Sequence, residues 1–182
     1  IIEWPARIPQ PRRTTVRAHT SDLLPTICAL AGQPLPVRPL DGIDLLPLID
    51  GKLTQRPGPI HFWAYNTSRL SAAKAEPYID PVLQQGTTPL AKLAGGKATR
   101  DFQNFLHPAI GEDDYLGPRA IIDGRFKLVL HEPRMGEPKR ELFDLDADPA
   151  EKSDLFAQQP AIAAKLQTQL RQWQESVLNS LT

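Results

Sequence analysis

Residues 119 to 145, RAIIDGRFKLVLHEPRMGEPKRELFDL, constrain this chain more than any other stretch. They predict a strand, an Asp123-Gly124 turn, a second strand, a polar loop and a third strand. Asp-Gly between two apolar runs is a strong hairpin signal, because a tight primed turn takes positive φ at both central positions. Ala120, Ile121 and Ile122 precede the turn. After it, Phe126, Leu128 and Leu130 alternate with Arg125, Lys127 and Val129. Glu141 to Leu145 repeats the two-residue period. Such a sheet needs one face covered, and residues 160 to 180 supply a cover. Pro160 opens a helix in which Ile162, Leu166, Leu170, Trp173 and Val177 recur at spacings of three and four, with Gln167, Arg171 and Glu175 facing water.

The first third reads differently. Ile1 to Trp4 predicts a short strand stopped by Pro5, and residues 6 to 18 a basic loop broken by proline. His19-Thr20-Ser21-Asp22 predicts a helix start, with Thr20 or Ser21 as cap and Asp22 favourably placed in the first turn. The run Leu23, Leu24, Ile27, Cys28, Leu30, Ala31 predicts a well-buried helix, with Gly32 ending it. A one-turn helix over 43 to 49 closed by Gly51 and an aromatic strand over 59 to 65 follow. Residues 67 to 118 are the least regular. They predict a short helix over 89 to 94 before Gly95-Gly96, and a small apolar face of Phe102, Phe105 and Leu106. Nineteen prolines in 182 residues, about twice the typical ~5%, account for so much irregular chain.

Composition removes several function classes. Lys plus Arg (21) balance Asp plus Glu (21), so no strong field favours nucleic acid or an anionic membrane. No apolar run approaches the ~18 residues of a membrane span. Cys28 stands alone and reads as a small core residue. CxxC, HExxH, GxSxG and a phosphate-cradling glycine loop are all missing. His19, His61, His107 and His131 lack metal-ligand spacing. Glu112-Asp113-Asp114 and the acids of DLDADPAE read as solvated turns, and Arg12-Arg13 and Lys139-Arg140 as surface charge. Asn66-Thr67-Ser68 fits a glycosylation sequon, meaningful only in a secreted eukaryotic protein. Local chemistry alone gives a globular α/β fragment without a complete active site.

The order of segments says more. IIEWPARI, HTSDLLPTICALAG, LDGIDLLPLIDGK, the aromatic strand, RAIIDGRFKLVL, ELFDLDADPAEKSDL and a terminal helix with a tryptophan occur in turn. In that order they resemble the C-terminal part of the sulfatases, in the alkaline-phosphatase-like superfamily. The resemblance implies an α/β parent whose fragment here is α+β. Residues 1–58 would be the tail of the catalytic domain. Residues 59–182 would form a C-terminal subdomain of about four antiparallel strands on the terminal helix, with a loop-rich insertion at 67–118. It also implies a sulfuric ester hydrolase using formylglycine, made from the cysteine of Cys-x-Pro-x-Arg, and calcium. In the family those groups precede the strand matching IIEWP. Ala29-Leu30-Ala31 follows Cys28, so Cys28 does not match the nucleophile. No catalytic or metal residue is therefore expected in this chain, which alone would be inactive.

Within the insertion, Arg100, Asn104 and His107 are expected to reach the sulfate or sugar of a substrate, since cationic and hydrogen-bonding groups suit an anion. The competing expectation pairs Arg100 with Asp101 or the acids at 112 to 114. Two other functions compete: a stand-alone module binding carbohydrate or protein, and a fragment of a related phosphodiesterase or phosphonate hydrolase. The start at Ile1, within a strand pattern, suggests a C-terminal piece. The implied partner is a small-molecule or carbohydrate sulfate ester, and the implied location periplasmic, secreted or lysosomal.

Overall fold

The computed structural model describes residues 1–64, 111–133 and 136–180. Four strands form a single antiparallel sheet in chain order: β1 (Ile60–Trp63), β2 (Gly117–Asp123), β3 (Phe126–Glu132) and β4 (Lys139–Asp144). Ile121 lies opposite Leu128, and Leu128 opposite Leu142, a fully buried row across three strands. The helix α3 (Pro160–Asn179) lays Ala163, Leu166 and Leu170 over this row, and Ile162 and Trp173 flank it. Burying each large aliphatic side chain contributes about 1.5–3 kcal/mol. That layer, one helix on one face of an antiparallel sheet, is the α+β arrangement expected.

The hairpin forms where expected, with a different turn. Asp123 pairs with Phe126, so the central residues are Gly124 and Arg125 rather than Asp123 and Gly124. Only Gly124 has positive φ, at 58°. Glycine in the first central position meets the twist requirement by itself, and Asp123 remains in the strand.

The first 58 residues hold two helices, α1 (Leu23–Ala31) and α2 (Leu46–Ile49). Ile1 to Trp4 form no strand; no neighbouring chain among the described residues offers them a ladder, and Trp4 instead accepts turn hydrogen bonds from the amides of Arg7 and Ile8. The helix start is capped by neither Thr20 nor Ser21. His19 takes the cap position of a 3₁₀ turn over Thr20–Asp22, its Nδ1 accepting from the Ser21 amide while Asp22 accepts from the His19 amide. The expectation of a well-buried α1 also fails. Leu23, Leu24, Ile27 and Leu30 are exposed, while Pro25 and Thr26 are the buried positions of the helix.

This segment is tied to the sheet at several points. Arg17 donates to the Gly124 carbonyl and to Asp146, each at 2.8 Å. The rings of His19 and Phe62 meet edge to face at 5.2 Å. Trp173 Nε1 donates to Asp41 at 2.6 Å.

Candidate functional site

Arg100, Asn104 and His107 lie outside the described residues, as do the expected helix over 89 to 94, the apolar face at 102 to 106, and most of 67 to 118. Chemistry must therefore be sought in the sheet, the helices and the first 64 residues.

The best-formed concavity, about 470 Å³, lies where the chain around Arg17 and the connector around Arg56 meet the β2–β3 turn. A second hollow of about 650 Å³ adjoins it through Thr15, Val16 and Thr54 and adds Arg12 and Arg13. Five arginines in one groove suggest anion capture, but most are engaged. Arg17 pairs with Asp146, Arg56 with Asp22, and Arg125 with Asp144. Arg12 donates to the Leu48 carbonyl at 3.2 Å. Among the described residues the lining holds hydroxyls of Thr14, Thr15 and Thr54 but no His, Cys or Ser that could activate one of them as a nucleophile. The groove is braced by its charges.

Asp22 is the most heavily bonded carboxylate in this region. Its oxygens accept from both terminal nitrogens of Arg56 at 2.7 and 2.8 Å, from the His19 amide at 2.7 Å and from the Ile43 amide at 2.9 Å. Burial pushes its pKa up, yet the hydrogen bonds from Arg56 and the two amides outweigh that and hold it below the usual carboxylate range. Such an acid stays ionised and is a fastener, not a proton donor.

Two of the described histidines, His19 and His61, take structural places. His61 stacks on Trp173 with ring centroids 4.6 Å apart and planes 3° from parallel. Burial lowers its pKa, with Arg56 in the same sense and Asp41 and Asp123 opposing. His131 is exposed on β3. Across the same end of the sheet, Glu132 accepts from Arg119 and Arg140. Burial acts against that charge, but the two arginines hold the Glu132 pKa below its ordinary value.

The acidic runs are solvated as expected at Glu112, Asp113 and Asp146, but not throughout. Asp114 is buried in a 3₁₀ turn and accepts from the Gly111 amide, and the exposed Glu112 meets Arg171. Asp144 is buried beside Arg125, and Asp148 accepts from the amides of Lys152 and Ser153. Among the described residues no three His, Cys, Asp or Glu side chains form a cluster fit for a metal. The described residues thus offer no ligand set for calcium. No helix among them is long and apolar enough to cross a membrane.

A turn-rich, arginine-braced segment thus precedes a helix-backed antiparallel sheet, in a chain carrying the ordered motifs above, and known proteins are similar to it in sequence. The chain is 28% identical over 156 residues to human steryl-sulfatase, covering 85% of this chain and 23% of that enzyme. It is 29% identical over 153 residues to bovine arylsulfatase A, covering 84% and 25%. It therefore spans about a quarter of the length of these relatives. A solved sulfatase structure from a Bacteroides thetaiotaomicron glycosaminoglycan-metabolism locus overlaps 85% of the chain and 24% of its own, at 18% identity and a TM-score of 0.45. No family model matches the chain.

Proposed function

We propose that this chain is the C-terminal portion of a sulfuric ester hydrolase whose formylglycine and calcium site is supplied by polypeptide outside it. One observation carries the reading: similarity to two different sulfatases runs through some 85% of this chain yet accounts for only a quarter of each enzyme. Residues 1–58 are then the tail of the catalytic domain, and 59–182 a C-terminal subdomain. The described part would contribute a scaffold, since many of its charged groups, such as Arg56 with Asp22 and Arg119 with Glu132, are bound to one another.

In this reading Arg100, Asn104 and His107 contact a sulfate ester, of a sugar or another small molecule, in a periplasmic, secreted or lysosomal enzyme. The test is hydrolysis of an aryl sulfate and of sulfated sugars by the longer protein and by the 182-residue chain. Activity confined to the longer form is expected. A longer form that cleaves phosphonate or phosphodiester substrates and no sulfate ester would overturn the assignment. Arg100→Ala and His107→Ala should lower kcat/KM for the preferred substrate; unchanged values would remove both residues from the site.

A further inference from the structure

The 650 Å³ hollow beside the braced groove differs from it in one respect: its positive charge is not cancelled. Its lining, drawn from residues 12–16, 48, 51, 53 and 54, holds two arginines and three threonines and no carboxylate. The adjacent acid, Asp50, is already held by Arg7 at 2.7 Å and approached by Lys52 at 3.6 Å. Arg17, Arg56 and Arg125 across the shared wall each have an aspartate. Arg13 makes neither an ion pair nor a hydrogen bond with any described residue.

Arg12, next to it, is set in place by the backbone. Its Nη2 donates to the Leu48 carbonyl at 3.2 Å, and its Nη1 lies where a Cβ on Gly51 would come within 2.6 Å. Gly51 has φ +75°, so glycine serves both the turn and the close approach of the guanidinium. Anchored through one nitrogen, Arg12 keeps Nε and Nη1 without an acceptor among the described residues. Thr14 Oγ1 accepts from the Val16 amide at 3.1 Å, which leaves its own O–H to donate. The hollow thus gathers donors with no carboxylate to compete for them. Guanidinium forks in that setting match the oxygens of sulfate or of a sulfate ester.

We infer that this hollow is a binding site for a tetrahedral oxyanion, either free sulfate or the sulfate group of a larger molecule, held by Arg13 and Arg12 with the threonine hydroxyls. The inference goes beyond the proposed hydrolase, because it concerns residues of this chain and holds whichever ester the longer protein cleaves. Both arginines are exposed, so added sodium chloride should weaken the binding.

The test is titration of the 182-residue chain with sodium sulfate, against sodium chloride at equal ionic strength, followed by backbone amide NMR shifts. Saturable shifts at residues 12–16 and 48–54, absent with chloride, are expected. Arg13→Gln should weaken sulfate binding about tenfold, the loss of one charge-assisted contact. With no partner to lose, it should leave the urea midpoint where it was. Lys152→Gln, which removes an exposed cation outside the hollow, should leave sulfate binding unchanged. Equal shifts with chloride, or a sulfate affinity untouched by Arg13→Gln, would overturn the site. Glucose 6-sulfate separates the two sources. Tighter binding than the free ion assigns the hollow to a sulfate group on a larger molecule, and weaker binding assigns it to the ion. Equilibrium dialysis of labelled sulfate against the longer protein and its Arg13→Gln variant asks whether the hollow stays open in the whole molecule; no difference between them would overturn the inference. Hydrolysis is scored separately: a longer protein inactive on every sulfate ester but binding sulfate through Arg13 would sink the activity and leave this site standing.

Discussion

Arg56 grips Asp22 with both terminal guanidinium nitrogens, at 2.7 and 2.8 Å, across 34 residues of chain, and neither side chain is more than 8% exposed. The pair fastens the connector to the start of α1. Buried pairs are poor sources of net stability compared with apolar packing, but removing one partner strands the other charge. Arg56→Met should therefore destabilise by about 3–5 kcal/mol, read from urea unfolding. A loss below ~1 kcal/mol would class the pair with exposed ones. Because the Asp22 pKa is depressed in the folded state, its contribution is complete above the ordinary aspartate pKa near ~4 and is lost as pH falls through the folded value. Asp22→Asn should flatten that acid limb.

Gly42 is held to glycine by space, not by its backbone angle. A methyl group there would meet the Ser21 carbonyl oxygen at 2.0 Å and the Asp22 nitrogen at 2.8 Å, both main-chain atoms without a soft side chain to yield. Gly42→Ala should cost at least the ~1–3 kcal/mol of ordinary overpacking. Gly58→Ala, where a Cβ meets nothing within 4 Å, is the control and should change the urea midpoint little.

His61 gives the fold a pH dependence of known sign. Burial against Trp173 lowers its pKa in the folded state, so the unfolded chain binds the proton more readily. Its contribution is complete above the ordinary histidine value of about 6.5 and declines as pH falls from there through the folded pKa. Unfolding midpoints for the wild type should thus drop between pH ~7 and pH ~5. In His61→Phe, which keeps a ring on Trp173 without a proton to gain, that part of the slope should vanish. An identical slope in both proteins would place the titration elsewhere.

The sheet was legible because strand signals are local: alternation in 126 to 130, glycine at the turn, and a helical stripe of the right length. The turn residues shifted by one because register is set by cross-strand pairing, which propensity does not encode. The burial of α1 was misjudged for a related reason. Apolar content marks a face as suited to burial but does not bury it, and Leu23 and Ile27 are exposed. The inward side is instead decided by Asp22 and Thr26, whose partners Ile43, Leu45 and Arg56 are distant in sequence. His19 as a cap carried no signal, since histidine is not a preferred capping residue. The sulfatase likeness was legible in motif order, whereas Arg100, Asn104 and His107 stay on sequence grounds alone.

The end of α3 offers a sharper trial of packing against pattern. The apolar stripe in the sequence runs through Trp173 to Val177, which would put Val177 under cover. In the structure the buried line passes from Leu170 to Gln174 and Leu178, at spacings of four, and Val177 is only half-buried. A polar residue on that line hides it from hydropathy. Gln174 is 1% exposed, and its amide is satisfied by donating to the Tyr115 carbonyl at 3.1 Å. Leu178→Ala should then cost about 2–5 kcal/mol, as for other fully buried leucines, and Val177→Ala under ~1.5 kcal/mol. Gln174→Leu should destabilise despite its greater hydrophobicity, because the Tyr115 carbonyl loses its donor, at ~1–3 kcal/mol if it stays buried. Urea unfolding of the three variants decides between the two faces. A larger loss at Val177 than at Leu178 would mean that the helix seats on the sequence stripe after all.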